Sequence, residues 1–130
     1  MQDNKLPKTR TGEVTCFVGE GHFILNLKIA ELITLQEKTG IGPSALFRRL
    51  MNGDWHVQDI IETIRIGLIG GGMSHKDAYD LVGRVVTAGN LMDCQIVAMT
   101  ALQAALFGPE DDDVQGEPVA PPESETTTAS

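Results

Sequence analysis

Gly12-Glu13-Val14-Thr15-Cys16-Phe17-Val18-Gly19-Glu20-Gly21-His22-Phe23-Ile24-Leu25-Asn26-Leu27-Lys28-Ile29-Ala30-Glu31-Leu32-Ile33-Thr34-Leu35-Gln36-Glu37-Lys38-Thr39-Gly40 holds a change of period that decides the fold. Two β-rich segments, Val14 to Val18 and His22 to Leu27, flank Gly19-Glu20-Gly21, where glycine supplies the positive φ that a tight hairpin connection needs. From about Leu27 the apolar residues Ile29, Leu32, Ile33 and Leu35 recur as one helical face, and Gly40 supplies a C-terminal stop. The stretch reads as strand, turn, strand, helix.

The pattern continues helically. Pro43 suits a first helical turn, and Leu46, Phe47, Leu50 and Met51 follow it until Asn52-Gly53. Val57, Ile60, Ile61, Ile64 and Leu68 form the clearest buried face, with Gln58, Asp59, Glu62 and Arg65 expected to turn away from it. Gly70-Gly71-Gly72 ends that helix. Ser74, with Asp77 three residues on, resembles a cap for a fourth helix carrying Ala78, Leu81, Val82, Val85 and Val86. Asn90 is expected to cap a fifth, whose apolar positions are Leu91, Cys94, Ile96 or Val97, Leu102, Ala105 and Leu106. The fold class is α+β: an N-terminal β-hairpin, then four or five short α-helices, then a disordered acidic tail. The organisation is a flexible N-terminus over 1–12, one small domain over 13–108, and the tail over 109–130.

Charge separates the tail from the body. The 130 residues carry a formal charge of −8, and Glu110, Asp111, Asp112, Asp113, Glu117, Glu123 and Glu125 lie beyond Gly108 with no Lys or Arg. Without those seven acids the first 108 residues hold 10 basic and 11 acidic side chains, a balance of −1. Such a body offers no basic stripe for counterion release, which argues against nucleic acid as a partner. The segment 109–130 is too poor in large apolar residues to repay the entropy of ordering. No apolar run reaches transmembrane length, and no signal-peptide core follows the polar N-terminus, so cytoplasmic residence and no membrane partner are expected.

Candidate chemistry is sparse. Gly67 to Ser74 before a helix start suggests a phosphate cradle, yet it lacks the Gly-Lys-Ser/Thr ending and a preceding strand, which favours a helix stop. His22, His56 and His75 have no second ligand at helical spacing, so no metal site is expected. Cys16 and Cys94 lie in no disulfide, zinc or nucleophile signature and read as reduced packing groups. Asp111 to Asp113 lack EF-hand spacing. No catalytic site and no cofactor is expected, and the chain reads as a protein-binding domain rather than an enzyme. Arg48 and Arg49 fit either an acidic partner or a solvated helix face, and Trp55 fits the core better than an exposed anchor. Phe47, Leu50, Trp55 and Ile61, apolar residues beside helix ends, are the candidate partner contacts.

The order Gly12-Glu13-Val14, the strand through His22 to Leu27, Leu27-Lys28-Ile29-Ala30-Glu31-Leu32 leading to Gln36-Glu37-Lys38-Thr39-Gly40, and Leu46-Phe47-Arg48-Arg49-Leu50 resembles the small gene transfer agent family protein of tailed phages. Its members show a Leu-x-x-x-Ala-Glu-Leu-Glu helix ending near glycine; Leu27, Ala30, Glu31, Leu32 and Glu37 correspond, whereas Leu35-Gln36 replaces a more acidic helix end. The resemblance covers Gly12 to Gly108. It implies a tail assembly chaperone that binds the tape measure protein in the host cytoplasm and keeps its apolar segments from aggregating, with the tail tube protein as a second partner. A structural tail subunit in the virion, or a small prophage-encoded adaptor, are the alternatives, and homo-oligomer formation is left open.

Overall fold

The computed structural model describes residues 12–108. The expectations for residues 1–11 and 109–130 lie outside these described residues. Strands β1 (Glu13–Phe17) and β2 (His22–Asn26) lead to helices α1 (Ile29–Thr39), α2 (Pro43–Asn52), α3 (Val57–Gly70), α4 (His75–Val85) and α5 (Leu91–Phe107). The architecture is therefore the α+β class, a two-stranded antiparallel hairpin followed by five helices.

The hairpin pairs Glu13 with Asn26, Val14 with Leu25 and Phe17 with His22. Its connection is closed by the Val18 N–H donating to the Gly21 carbonyl at 2.7 Å. Of the two flanking glycines only Gly19 has positive φ, at 67°. A Cβ there would also meet Val85 of α4 at 2.5 Å, so both backbone sign and space require glycine. Beside it the Arg84 guanidinium holds the Glu20 carboxylate through Nε at 3.2 Å and Nη2 at 2.8 Å, fastening the turn to α4.

Gly40 ends α1 in the left-handed conformation, its N–H donating to the Gln36 carbonyl, and Gly53 ends α2 the same way. Ser74 caps α4 by accepting the Asp77 N–H at 3.1 Å. The expected cap at Asn90 works differently. Its side chain accepts the Thr87 N–H and donates to the Val85 carbonyl, closing the α4–α5 loop; toward α5 its Oδ1 accepts the Cys94 thiol at 3.5 Å and caps no backbone N–H of the first turn.

Helix α3 runs through the middle, packed on α1, α4, α5 and β2. Ile60, Ile64 and Leu68 are wholly or almost wholly buried, as are Leu25, Leu35, Leu46, Leu50 and Leu102 around them. Each such side chain contributes roughly 1.5–3 kcal/mol by leaving water. Enclosure on several sides overturns part of the expected helix polarity: Val57 is exposed, whereas Asp59, Thr63 and Glu62 are buried. Their polar atoms have partners. Asp59 accepts the His56 N–H at 2.7 Å and an Arg49 Nη2 bond at 3.2 Å; Thr63 donates to the Asp59 carbonyl at 2.6 Å. Glu62 is held by Gln58 and Arg65. Asp59 also sits in the first turn of α3, where the helix dipole favours a carboxylate.

The end of α3 meets the hairpin at glycines, close enough that the strand's carbonyls take the space of a side chain. A Cβ on Gly70 would fall 1.8 Å from the Asn26 carbonyl oxygen, one on Gly71 2.0 Å from that of Ile24, and one on Gly67 3.1 Å from Leu25. Gly70→Ala must push helix and strand apart, whereas Gly83, on the exposed face of α4 with nothing within 4 Å of its Cβ position, has room for a methyl group. In thermal or urea unfolding Gly83→Ala should stabilise by about 0.5–1 kcal/mol, while Gly70→Ala should destabilise by roughly 2 kcal/mol or more. Equal, small effects at both positions would show that the helix–strand approach is not a constraint. Asp59→Ala should in turn destabilise by about 3 kcal/mol, because it strands a half-buried Arg49 guanidinium; urea unfolding of the Asp59→Ala and Arg49→Met/Asp59→Ala pair should show the second change recovering part of that loss.

Candidate docking groove

Three chain segments converge where β2 hands over to α1. Asn26 closes the strand, Leu27 is buried, and Lys28 and Ile29 begin the helix, so the first turn of α1 stands beside the last turn of α5 and the backbone of Gly12. Between them lies a groove of about 570 Å³. Ile29 and Leu32 form one wall, Phe107 another, and the small side chains of Ala104 and Ala105 leave the floor open. Ile29 is 73% and Phe107 69% exposed. Ile33, one turn beyond Ile29, is also exposed; of the apolar positions Ile29, Leu32, Ile33 and Leu35 read as one helical face, only Leu35 is fully enclosed.

Phe107 joins this groove to α2. Its ring meets that of Phe47 edge to face with centroids 5.8 Å apart, a favoured aromatic geometry. The remaining candidate contacts separate. Leu50 has no exposed surface to offer a partner and is a core residue. Trp55 and Ile61 are half-buried and pack against the core, Trp55 with an indole N–H that is enclosed and makes no hydrogen bond among the described residues. Sequence reasoning missed Ile29, Leu32 and Phe107 as a surface. The available signal was the apolar ending Leu106-Phe107 directly before Gly108, but nothing in the sequence sets it beside α1.

The other candidates are absorbed by the fold. Arg49 is taken by Asp59, and Arg48 donates to the Ser44 hydroxyl at 3.0 Å. In the glycine segment the N–H groups of Gly71, Gly72 and Met73 donate to carbonyls of the last turn of α3, so they are not turned toward an anion. His22 lies in β2 against Phe17, His56 precedes α3 and His75 begins α4. Among the described residues no group of three or more His, Cys, Asp or Glu could hold a metal ion, and no helix is long and apolar enough to cross a membrane.

A protein-family model described as "Phage tail tube protein, GTA-gp10" matches residues 11–108, which takes in every helix and strand above. Searches of curated proteins and of solved structures match nothing.

Cys16 and Cys94 are both free, one half-buried in β1 and the other buried in α5. Burial raises both thiols above their ordinary value, with the Asp93 carboxylate adding to the effect at Cys94. The thiolate is the reactive form, so little of either is available at neutral pH. Iodoacetamide at pH 7 should therefore leave the native protein largely unmodified by mass, with both sites labelling after denaturation or, more slowly, at strongly alkaline pH. Rapid stoichiometric labelling of the native chain at neutral pH would contradict the packing assigned to the two thiols.

Proposed function

The chain belongs to the phage tail tube protein, GTA-gp10, family, and from that premise we propose that it is a non-catalytic tail assembly chaperone that holds apolar segments of the tape measure protein in the α1–α5 groove. The observation that carries this reading is the groove itself: Ile29, Leu32 and Phe107 present apolar surface to water at a place where small floor residues leave room. Exposed apolar surface of this kind marks interaction sites, and a groove between two helices suits a third one laid into it. The Phe47 ring, seated against Phe107, extends the same surface toward α2.

A second reading, a structural subunit of the tail tube, is favoured by the family description. The two readings differ in persistence. A chaperone acts before the particle is complete and leaves it, whereas a tube subunit remains in stoichiometric amount.

Co-expression with the tape measure protein encoded alongside tests the first reading. The chain should co-purify with that protein and raise its soluble fraction, and Ile29→Glu/Phe107→Glu should abolish both effects while lowering stability by no more than about 1–2 kcal/mol, mainly through loss of the Phe47–Phe107 ring contact, since both side chains are mostly in water. Quantitative mass spectrometry of purified particles separates the alternatives. Near absence supports the chaperone; a copy number comparable with other tube components supports the structural subunit and overturns the chaperone.

A further inference from the structure

The described fold leaves the outer edge of β1 open. In an antiparallel pair, alternate residues turn their N–H and C=O groups away from the partner strand. The bond from the Val18 N–H to the Gly21 carbonyl marks a hydrogen-bonded position, so in this register Cys16–Phe23 and Val14–Leu25 are bonded pairs as well, and Glu13, Thr15 and Phe17 point their backbone groups outward. The other strand shows the same parity. On β2 the carbonyls of Ile24 and Asn26 face away from the hairpin, against Gly71 and Gly70 of α3. On β1 the outward groups of Thr15 and Phe17 make no hydrogen bond among the described residues. From Glu13 to Phe17 the register is unbroken, with no lysine, proline or bulge, the devices that keep edge strands from pairing with other chains.

We propose that residues 6–10 of this chain occupy that edge as a third antiparallel strand, in place of the flexible N-terminus that their polarity suggests. The chain reaches β1 through Gly12, whose φ of 75° has the sign that a two-residue hairpin turn needs at its second central position. With Thr11-Gly12 as that turn, Arg10 falls opposite Glu13, Lys8 opposite Thr15 and Leu6 opposite Phe17. The pair flanking a two-residue turn is hydrogen-bonded, so these three pairs use the groups that point outward. Side-chain chemistry agrees with the register. Arg10 meets Glu13 with opposite charge, and Leu6 meets the exposed Phe17 ring on the outer face, both favoured cross-strand pairs. Pro7 falls opposite Cys16 at a non-bonded position, where its missing N–H faces the new edge and costs no ladder bond. Pro7 and Lys8 then supply the protection that β1 lacks. The hairpin gains the third strand that a sheet needs for stability of its own, and the chain closes its edge against other copies. This assignment stands apart from the groove and its docking reading.

Residue-resolved amide hydrogen exchange on the full chain tests it. The Thr15 and Phe17 N–H groups should exchange at least about tenfold more slowly than in an unstructured chain, at a rate independent of protein concentration. Lys8→Pro removes a donor turned toward Thr15 and should return both amides to fast exchange, whereas Thr9→Pro, whose lost N–H faces solvent, should leave them protected. The Val14 and Cys16 amides, bonded within the hairpin, should stay protected in both variants and so report an intact fold. Arg10→Glu should speed exchange at the edge about twofold or more, and adding Glu13→Arg should restore it. Fast exchange at Thr15 and Phe17 in the full chain would overturn the third strand. Protection that survives Lys8→Pro would overturn it too, as would protection that rises with protein concentration, which would assign the edge to a second copy. Loss of protection in Lys8→Pro and Thr9→Pro alike would overturn the register on which the pairing rests.

Discussion

The approach of α3 to β2 constrains everything around it. With Gly70 and Gly71 at the helix end, backbone lies against the Asn26 and Ile24 carbonyls at distances no side chain would permit. A helix brought this near cannot be repositioned without opening a gap along the strand, and close-packed interiors do not tolerate such gaps. That contact fixes the end of β2, hence Leu27 and the first turn of α1. The groove follows from it, because its first wall is the turn of helix that begins where the strand is pinned.

Polar groups inside the molecule obey the same economy of space. Asp59 is buried because α3 is enclosed, and it is tolerable there because the His56 N–H and the Arg49 guanidinium reach its oxygens. Removing a partner from such a group is more harmful than never having placed it there. The pair also ties the end of α2 to the start of α3 across the Gly53 turn. The exposed Glu20–Arg84 contact fastens the hairpin turn to α4, where solvent screening makes it an alignment device more than a source of stability.

These constraints leave some apolar side chains uncovered. Ile29, Ile33 and Phe107 are apolar yet stay in water because α1 touches the rest of the fold mainly through Leu35 and its contact with α3. A face that the fold itself does not cover is available to another chain. Family membership places the protein among phage tail components.

Local chemistry determined much on its own. The hairpin followed from alternation around Gly19 to Gly21, the helix ends from Gly40 and Gly53, the α4 cap from Ser74, and the α+β class from their order. These depend on neighbours in the chain, so the sequence states them directly. Tertiary structure alone decided the rest. Which of Ile96 and Val97 turns inward on α5, a helix apolar almost all round, depends on where α2 and α3 lie, and Val97 is the one against the core. Whether Asp59 meets water or Arg49 depends on how many elements surround α3. Phe47 was legible as a candidate contact, but its partner Phe107 and the wall at Ile29 were not, because residues from α1, α2 and the end of α5 become neighbours only when the chain between them has packed.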